Sequence, residues 1–326
     1  MASRAGIQCL ATPTPFAVGS VNAYLIEDEP LTLIDGGPNS ATSLRDLERL
    51  LAQHGYSISD LALVIVTHQH MDHMGLAGVV AERSGAEVAC LGLLAPYLED
   101  WEASAAADDD LAYEVMLRHG LDPSTAKALR SVARMVRGWG ASVRVDRSLT
   151  DGESLRFAGR TVRVLHRPGH SPSDTVLYDE EHRVLITGDH LLSRTSSNAL
   201  LSRPLEETPD GRRPQPLLQY RASLRATRTL DAEVALGGHG EPISDHRALI
   251  DKRLRQQDER AAELLRLLSA GPRSAHELAG SLWGGDVAIT QAFPTLSEVL
   301  GHVDLLIDQG LVAEDDSGAV VRFEAL

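Results

Sequence analysis

The stretch Leu61-Ala62-Leu63-Val64-Ile65-Val66-Thr67-His68-Gln69-His70-Met71-Asp72-His73-Met74-Gly75 decides how the rest of the chain is read. Its apolar first part is the length of a buried strand. Its polar second part places His68, His70, Asp72 and His73 on one turn, and Leu76, Ala77, Val79 and Val80 are apolar enough to begin a helix. A strand end that leads into a helix is where α/β proteins present ligand-binding side chains. Neutral imidazole and carboxylate are ligands for zinc and similar divalent ions. Four unpartnered polar groups beside a core would carry a desolvation cost with no return, so the segment reads as a metal loop rather than a polar turn.

Strands are expected on both sides of this loop. Residues 7–10, 21–26 and 31–34 precede it, with Asp28-Glu29-Pro30 as turn chemistry. Residues 40–54 have helical apolar spacing with Ser40 as cap. Residues 87–91, 143–145, 154–157, 161–165, 175–178, 184–187 and 234–236 read as further strands, and 217–230 and 243–268 as helices. Residues 94–138 break this rhythm with Ala-rich and acidic helical sequence. They read as a helical insertion, either a solvated pair or the wall of a pocket. Residues 194–215 form a long loop rich in Pro, Ser and Arg, of the kind that lines sites.

The chain of 326 residues has room for a large domain and a second, smaller one. Its 31 basic and 46 acidic residues give a net charge of −15, which disfavours general binding to a phosphate backbone. Aromatic content of 4% offers few stacking surfaces for single strands. Cys9 and Cys90 alone imply no disulfide framework. No membrane-spanning run or leader pattern is read, so the expected setting is cytoplasmic, with no membrane partner.

Three more candidate ligands share one context. His170, Asp189 and His239 each follow an apolar strand and have glycine beside them or one residue away. Together with His68, His70, Asp72 and His73 they make seven metal-type side chains delivered by four strand ends. In this pattern residues 1 to about 250 resemble the metallo-β-lactamase superfamily. The match is His-x-His-x-Asp-His at His68 to His73, Pro168-Gly169-His170, Gly188-Asp189 and Gly238-His239-Gly240. Asp35 falls where that family places a buried aspartate behind the ligands.

The resemblance implies an α/β fold, an αββα sandwich, over residues 1–254, with the helical insertion at about 94–138. It implies two divalent metal ions, zinc first, with iron or manganese as alternatives. His68, His70 and His170 would hold one ion, Asp72, His73 and His239 the other, and Asp189 would bridge them. A hydroxide shared by the pair would attack an electrophilic centre, with Asp72 as catalytic proton carrier. The ligand set is similar to glyoxalase II, lactonases, phosphoryl-ester hydrolases and lactamase-like endoribonucleases, because no cysteine stands near the second ion as it does in antibiotic-degrading members.

Residues 255–326 resemble the winged-helix module that follows the metal domain in lactamase-like mitochondrial endoribonucleases and their bacterial relatives. Two helices, 274–282 and 295–309, precede a hairpin at 311–313 and 319–323. This segment carries five arginines, no lysine and twelve acids, and the second helix has neither lysine nor arginine. Nucleic acid is therefore disfavoured as a partner, and the module reads as a packing or homodimer-forming element. The function expected is hydrolysis of a small-molecule ester, first a thioester of the acyl-CoA or acylglutathione type or a lactone. The alternatives are an endoribonuclease or phosphodiesterase, for which Arg194, Arg203, Arg212, Arg213 and Arg221 would supply a basic path, and a non-catalytic or iron-dependent oxidoreductase member of the fold.

Overall fold

A computed structural model describes residues 5–206, 213–285 and 291–326. Two sheets meet face to face. The first runs β1 (Ile7–Thr12), β2 (Val21–Ile26), β3 (Thr32–Ile34), β4 (Leu63–Ile65), β5 (Glu87–Leu91) and β6 (Arg147–Leu149) in that order. β1 to β3 pair antiparallel, and β3 to β6 pair parallel. The second sheet comprises β7 (Ser154–Arg156), β8 (Thr161–His166), β9 (Thr175–Asp179), β10 (Val184–Gly188) and β11 (Val234–Gly237), with a single parallel pair, β10 with β11.

The period of two along these strands sets the layers. Leu177, Val184, Ile186, Val234 and Leu236 face the core shared with the first sheet. Their neighbours Val176, Tyr178, Leu185 and Ala235 face the opposite way, against α7 (Pro216–Arg228) and α8 (His246–Leu268). On the outer side of the first sheet, α1 (Ala41–Gln53) buries Leu47 and Leu51, and α3 (Ala77–Ser84) buries Ala77 and Val80. Ser40 caps α1 as its sequence predicts, its side chain accepting the Ser43 amide. The parallel strands β3, β4 and β5 are buried throughout apart from Glu87, which is why they read as unbroken apolar runs.

Some expected elements are displaced. Residues 143–145 form no strand. The Val143 amide instead donates to Leu98 O at 3.0 Å, tying this segment to the end of α4 (Ala95–Glu99), and the ladder to β5 forms four residues later, at Arg147. Helix α8 begins at His246 rather than 243, because Ile243 is bridged to Ala235 and Asp245 caps the helix. The last long helix, α10 (Ala292–Asp308), starts before Thr295 and accommodates Pro294 in its first turn. Its hairpin pairs β12 (Val312–Asp315) with β13 (Arg322–Ala325), shifted toward the C-terminus.

The insertion is helical as expected: α4, α5 (Trp101–Arg118) and α6 (Pro123–Val136). Its partner was not legible. Val115, Met116, Leu121 and Ala126 share one apolar cluster with Leu264 and Leu268 of α8, with α9 (Ala275–Trp283), α10 and Phe323 of the hairpin. Residue 254, the expected end of the metal domain, lies inside α8.

Two buried histidines beside this cluster predict that its stability depends on pH. Burial pushes the imidazoles of His119 and His302 down to about 4, whereas in the unfolded chain they titrate near 6.5. Between those values the unfolded chain binds more protons, so stability falls as pH drops from about 6.5 to about 4. The unfolding free energy from urea titration should decrease on acidification from neutral pH to pH 5, by on the order of 1–2 kcal/mol per histidine. His119→Phe keeps the stacking on Phe323 and should flatten that dependence.

Candidate metal centre

All seven expected side chains converge at one edge of the two sheets. His68 and His70 lie in the turn after β4, and Asp72 and His73 on the short helix α2 (Met71–Met74). His170 follows β8, Asp189 follows β10 and His239 follows β11. Three groups have ligand atoms within 4.8 Å of one another: His68, His70 and His170; His68, His73 and Asp189; Asp72, His73 and His239. Asp189 stands between the outer two. Its Oδ1 is 3.3 Å from His73 Nε2, and its Oδ2 is 3.6 Å from His170 Nε2 and 3.5 Å from His239 Nε2. Asp72 Oδ2 lies 3.4 Å from His239 Nε2.

Partners behind the ring determine which nitrogens face inward. His170 Nδ1 donates to Asn198 O at 2.9 Å, and His239 Nδ1 to Ser20 O at 2.8 Å. His73 Nδ1 donates to Asp35 Oδ2 at 2.8 Å. Thr67 Oγ1 gives its proton to Asp35 and so accepts from His68 Nδ1 at 3.0 Å. In the neutral rings each Nδ1 therefore carries the proton, which leaves the Nε2 lone pair toward the centre. His70 presents its Nδ1 instead, 3.1 Å from His68 Nε2 and 2.9 Å from His170 Nε2. One proton cannot satisfy that convergence of lone pairs; a shared cation can. His73 Nε2 and Asp189 Oδ1 are likewise buried without a hydrogen bond among the described residues.

The electrostatics also favour a positive occupant. Burial drives His68 well below its usual range and His70 down to about 3, keeping both neutral and ready to coordinate. Burial works to raise Asp72 and Asp189, but His73 and the neighbouring imidazoles override it and hold both carboxyls low. Burial also works to lower His73, and the Asp189, Asp35 and Asp72 carboxylates instead lift it well above 6.5. The pocket thus demands positive charge between its carboxylates. The donor set, four inward Nε2 lone pairs, one Nδ1 and two low carboxyls, fits divalent metal ions.

Close approach of backbone completes the cradle. A Cβ on Gly238 would lie 2.3 Å from Asp189 Oδ1 and 2.5 Å from His73 Cε1, so only glycine fits beside the ligands there. Gly75 is similarly enclosed, by Trp139 O at 2.3 Å and Asn39 N at 2.4 Å. The carbonyls of Asn198 and Ser20 were beyond sequence reading, since every residue has one. His190, beside Asp189, points away: it is fully buried, with Nε2 on Thr227 Oγ1 at 2.9 Å. His166 bonds Pro172 O. Met74 is core, whereas Met71 lines a cavity next to the centre.

That cavity, of about 350 Å³, opens over His70 and Asp72. Phe16, Trp101, Ala105, Val136 and Leu200 make it largely apolar, and Tyr97 and Asp108 close one end with a 2.7 Å hydrogen bond. A smaller adjoining space reaches Phe293 of α10. The insertion, the 194–215 loop and the tail therefore all border the centre. Among the described residues, none of the arginines expected to form a basic path lines the cavity over His70 and Asp72, and Arg194 is exposed in the loop. Arg213 is committed to buried Asp304 and Arg221 to Asp258, Arg203 lies beside Asp108, and Arg212 lies outside the described residues.

Asp35 is the residue behind the ligands with the clearest test. Asn occupies the same left-handed backbone (φ 57°) without strain but cannot hold the negative charge against His73. Asp35→Asn is expected to weaken metal binding by about 10–100-fold, read by competition with a chromophoric chelator, while the far-UV circular dichroism spectrum is unchanged.

Comparisons with known proteins agree with this geometry. The family model described as "Metallo-beta-lactamase superfamily" matches residues 17–239. The chain is 32% identical over 320 residues to "Probable metallo-hydrolase YqjP" of Bacillus subtilis (strain 168), covering 97% of each chain. A metallo-beta-lactamase family protein from Thermus thermophilus superposes with a TM-score of 0.79 at 30% identity, over 98% of this chain and 99% of that one. An "Atrochrysone carboxyl ACP thioesterase" of Aspergillus terreus (strain NIH 2624 / FGSC A1156) is 30% identical over 171 residues, 48% of this chain and 49% of that protein. The ligand-bearing strand ends, the two facing sheets and the family match lead to one conclusion: the chain belongs to the metallo-beta-lactamase superfamily.

Proposed function

We propose that this hydrolase cleaves thioesters of apolar acyl groups. The observation that carries the reading is the apolar cavity that opens over His70 and Asp72. It suits a hydrocarbon acyl chain whose carbonyl reaches the centre, and the arginine that lines it, Arg137, is paired with Asp109 rather than free to meet a phosphodiester. The thioesterase name of a relative that shares about half of this chain supports the same chemistry.

In this reading His68, His70 and His170 would hold one divalent ion and Asp72, His73 and His239 a second, with Asp189 a candidate ligand between them and zinc the first candidate. When bound, the ions supply a water acidic enough to ionise near neutral pH and polarise the acyl oxygen. Asp72 Oδ2 takes the proton as the oxygen of water adds to the thioester carbonyl. Collapse of that adduct breaks the C–S bond, and the proton passes to the departing sulfur, giving acid and thiol. Gln69, buried and bound to Ser173 Oγ, fixes the turn between His68 and His70. Trp101 anchors the cavity wall by donating Nε1–H to Arg137 O at 3.2 Å. Residues 255–326 serve packing in a winged-helix-like unit. A nucleic-acid role finds no support there, because α10 buries Leu296, Val299, Leu300, Val303 and Asp304 instead of offering a face to a groove.

Zinc-loaded protein is expected to hydrolyse members of a panel of acyl-CoA and acylglutathione thioesters, and to leave single-stranded RNA intact. Activity should fall to background in His70→Ala and on chelation, and return with zinc in the wild type only. Failure of the metal-replete protein on every thioester, ester and lactone would refute the reading.

The cavity makes a separate prediction about chain length. Ala105→Phe fills part of it, and should lower kcat/KM for an eight-carbon acyl thioester by about tenfold or more. A two-carbon thioester, which does not need that space, should be unaffected. Equal losses on both would place the acyl chain elsewhere.

A further inference from the structure

Helix α6 is poorly buried for an element so close to the centre: of its 14 residues only Ala126 is buried. Its inner stripe is accounted for. Leu129 packs on the shared insertion-and-tail cluster, and Ala133 and Val136 line the cavity over His70 and Asp72. Its outer face is not. Lys127, Ser131 and Arg134 form one exposed stripe, and Ala128, Val132 and Met135 a second beside it, each at the i, i+4, i+7 spacing of one helix face. Val132 is 56% and Met135 81% exposed. Residues 123–137 contain Lys127, Arg130, Arg134 and Arg137 and no acid, in a chain of net charge −15. Arg130 is paired with Asp110 and Arg137 with Asp109, but among the described residues no ion pair engages Lys127 or Arg134.

A basic and apolar face at the rim of a substrate cavity calls for a partner. A second copy of this chain fits it badly, because a two-fold contact sets the patch against itself and would bring Lys127 and Arg134 against their own counterparts. A small free thioester has no need of a protein-sized face. We propose that α6 docks an acidic carrier protein, which delivers the acyl group as a thioester on a flexible arm. Lys127 and Arg134 meet its carboxylates, and Val132 and Met135 supply the apolar contact. The arm then enters the cavity past Val136 and sets the thioester carbonyl at the centre. The negative charge of the rest of the molecule repels an acidic partner everywhere else and so orients it toward this face. The inference rests on the thioester reading above.

The test compares one octanoyl group on two carriers, a purified bacterial acyl-carrier protein and neutral N-acetylcysteamine, with zinc-loaded wild type and the double variant Lys127→Glu/Arg134→Glu. Charge reversal is expected to lower kcat/KM for the carrier-protein substrate by about tenfold or more, chiefly through KM. Added salt should do the same to the wild type. The N-acetylcysteamine thioester should be hydrolysed equally by both proteins. Met135→Asp should act in the same direction as charge reversal. Docking on α6 is overturned if the carrier-protein substrate is indifferent to charge reversal, or if both substrates fall together, as a structural role would require. It is also overturned if light scattering shows a wild-type dimer that Met135→Asp dissolves. Hydrolysis of neither thioester would instead remove the thioester reading itself, a result distinct from cleavage of N-acetylcysteamine thioester alone.

Discussion

The carboxylate of Asp35 ties together the segments of the candidate metal centre. It is buried at 2% exposure and accepts three hydrogen bonds: the Thr67 amide at 2.9 Å on Oδ1, and Thr67 Oγ1 and His73 Nδ1, both at 2.8 Å, on Oδ2. A buried carboxylate is costly unless its acceptors are filled. These three donors come from the end of β4 and from α2, so the same bonds that offset the burial of Asp35 lock two ligand-bearing segments to the end of β3. Thr67 relays the constraint onward, because an oxygen that has given its proton to Asp35 can only accept from His68. One carboxylate thus orients an imidazole on each side of the centre.

The same logic extends outward through the backbone. His170 is aimed by the carbonyl of Asn198, and the side chain of Asn198 donates to Pro294 O at 2.9 Å, in the first turn of α10. The tail is therefore two hydrogen bonds from a candidate ligand. His239 is aimed by Ser20 O, and Asn22 nearby donates to Gly237 O and Gly240 O across the gap between the sheets. Because the insertion and the tail share one apolar cluster, rearrangement of either would be felt at Asn198. The apolar cluster behind the wall of the cavity likewise depends on packing between segments more than 100 residues apart in sequence.

How much of this was legible follows from how local each signal is. The buried parallel strands announced themselves as apolar runs, and the candidate ligands stood out because imidazole and carboxylate types recur at strand ends with glycine beside them. Gly238 shows why: the reason is the absence of room against Asp189 and His73 more than a turn angle. Residues 143–145 read as a strand because Val-x-Val alternates, but their amides were claimed by the α4 end, which no local pattern encodes. The pairing of the insertion with the tail was invisible for the same reason, as apolar spacing marks a face to be buried and does not name its partner. The carbonyls that aim His170 and His239 carry no sequence signature.

Committed charges decide between chemistries that the centre alone would allow. Water activated by metal held at such a centre would attack a carbonyl or a phosphorus with equal logic. The choice must therefore come from what surrounds it. Arg213 spends its guanidinium on Asp304, a buried carboxyl that burial raises to about 6 despite that pairing, and Arg221 spends its own on Asp258. Neither is left to meet a phosphate, and the helix that would enter a groove is sealed into the tail's core. The cavity over the centre is lined mainly by apolar side chains, among them Phe16, Trp101, Ala105, Val136 and Leu200, and its Arg137 is paired with Asp109. An apolar wall contributes by shedding water from an acyl chain, and it contributes nothing to a phosphodiester. In the proposed reading the centre would supply the means of attack, and the apolar wall that the insertion helps to build favours an acyl carbon as its target.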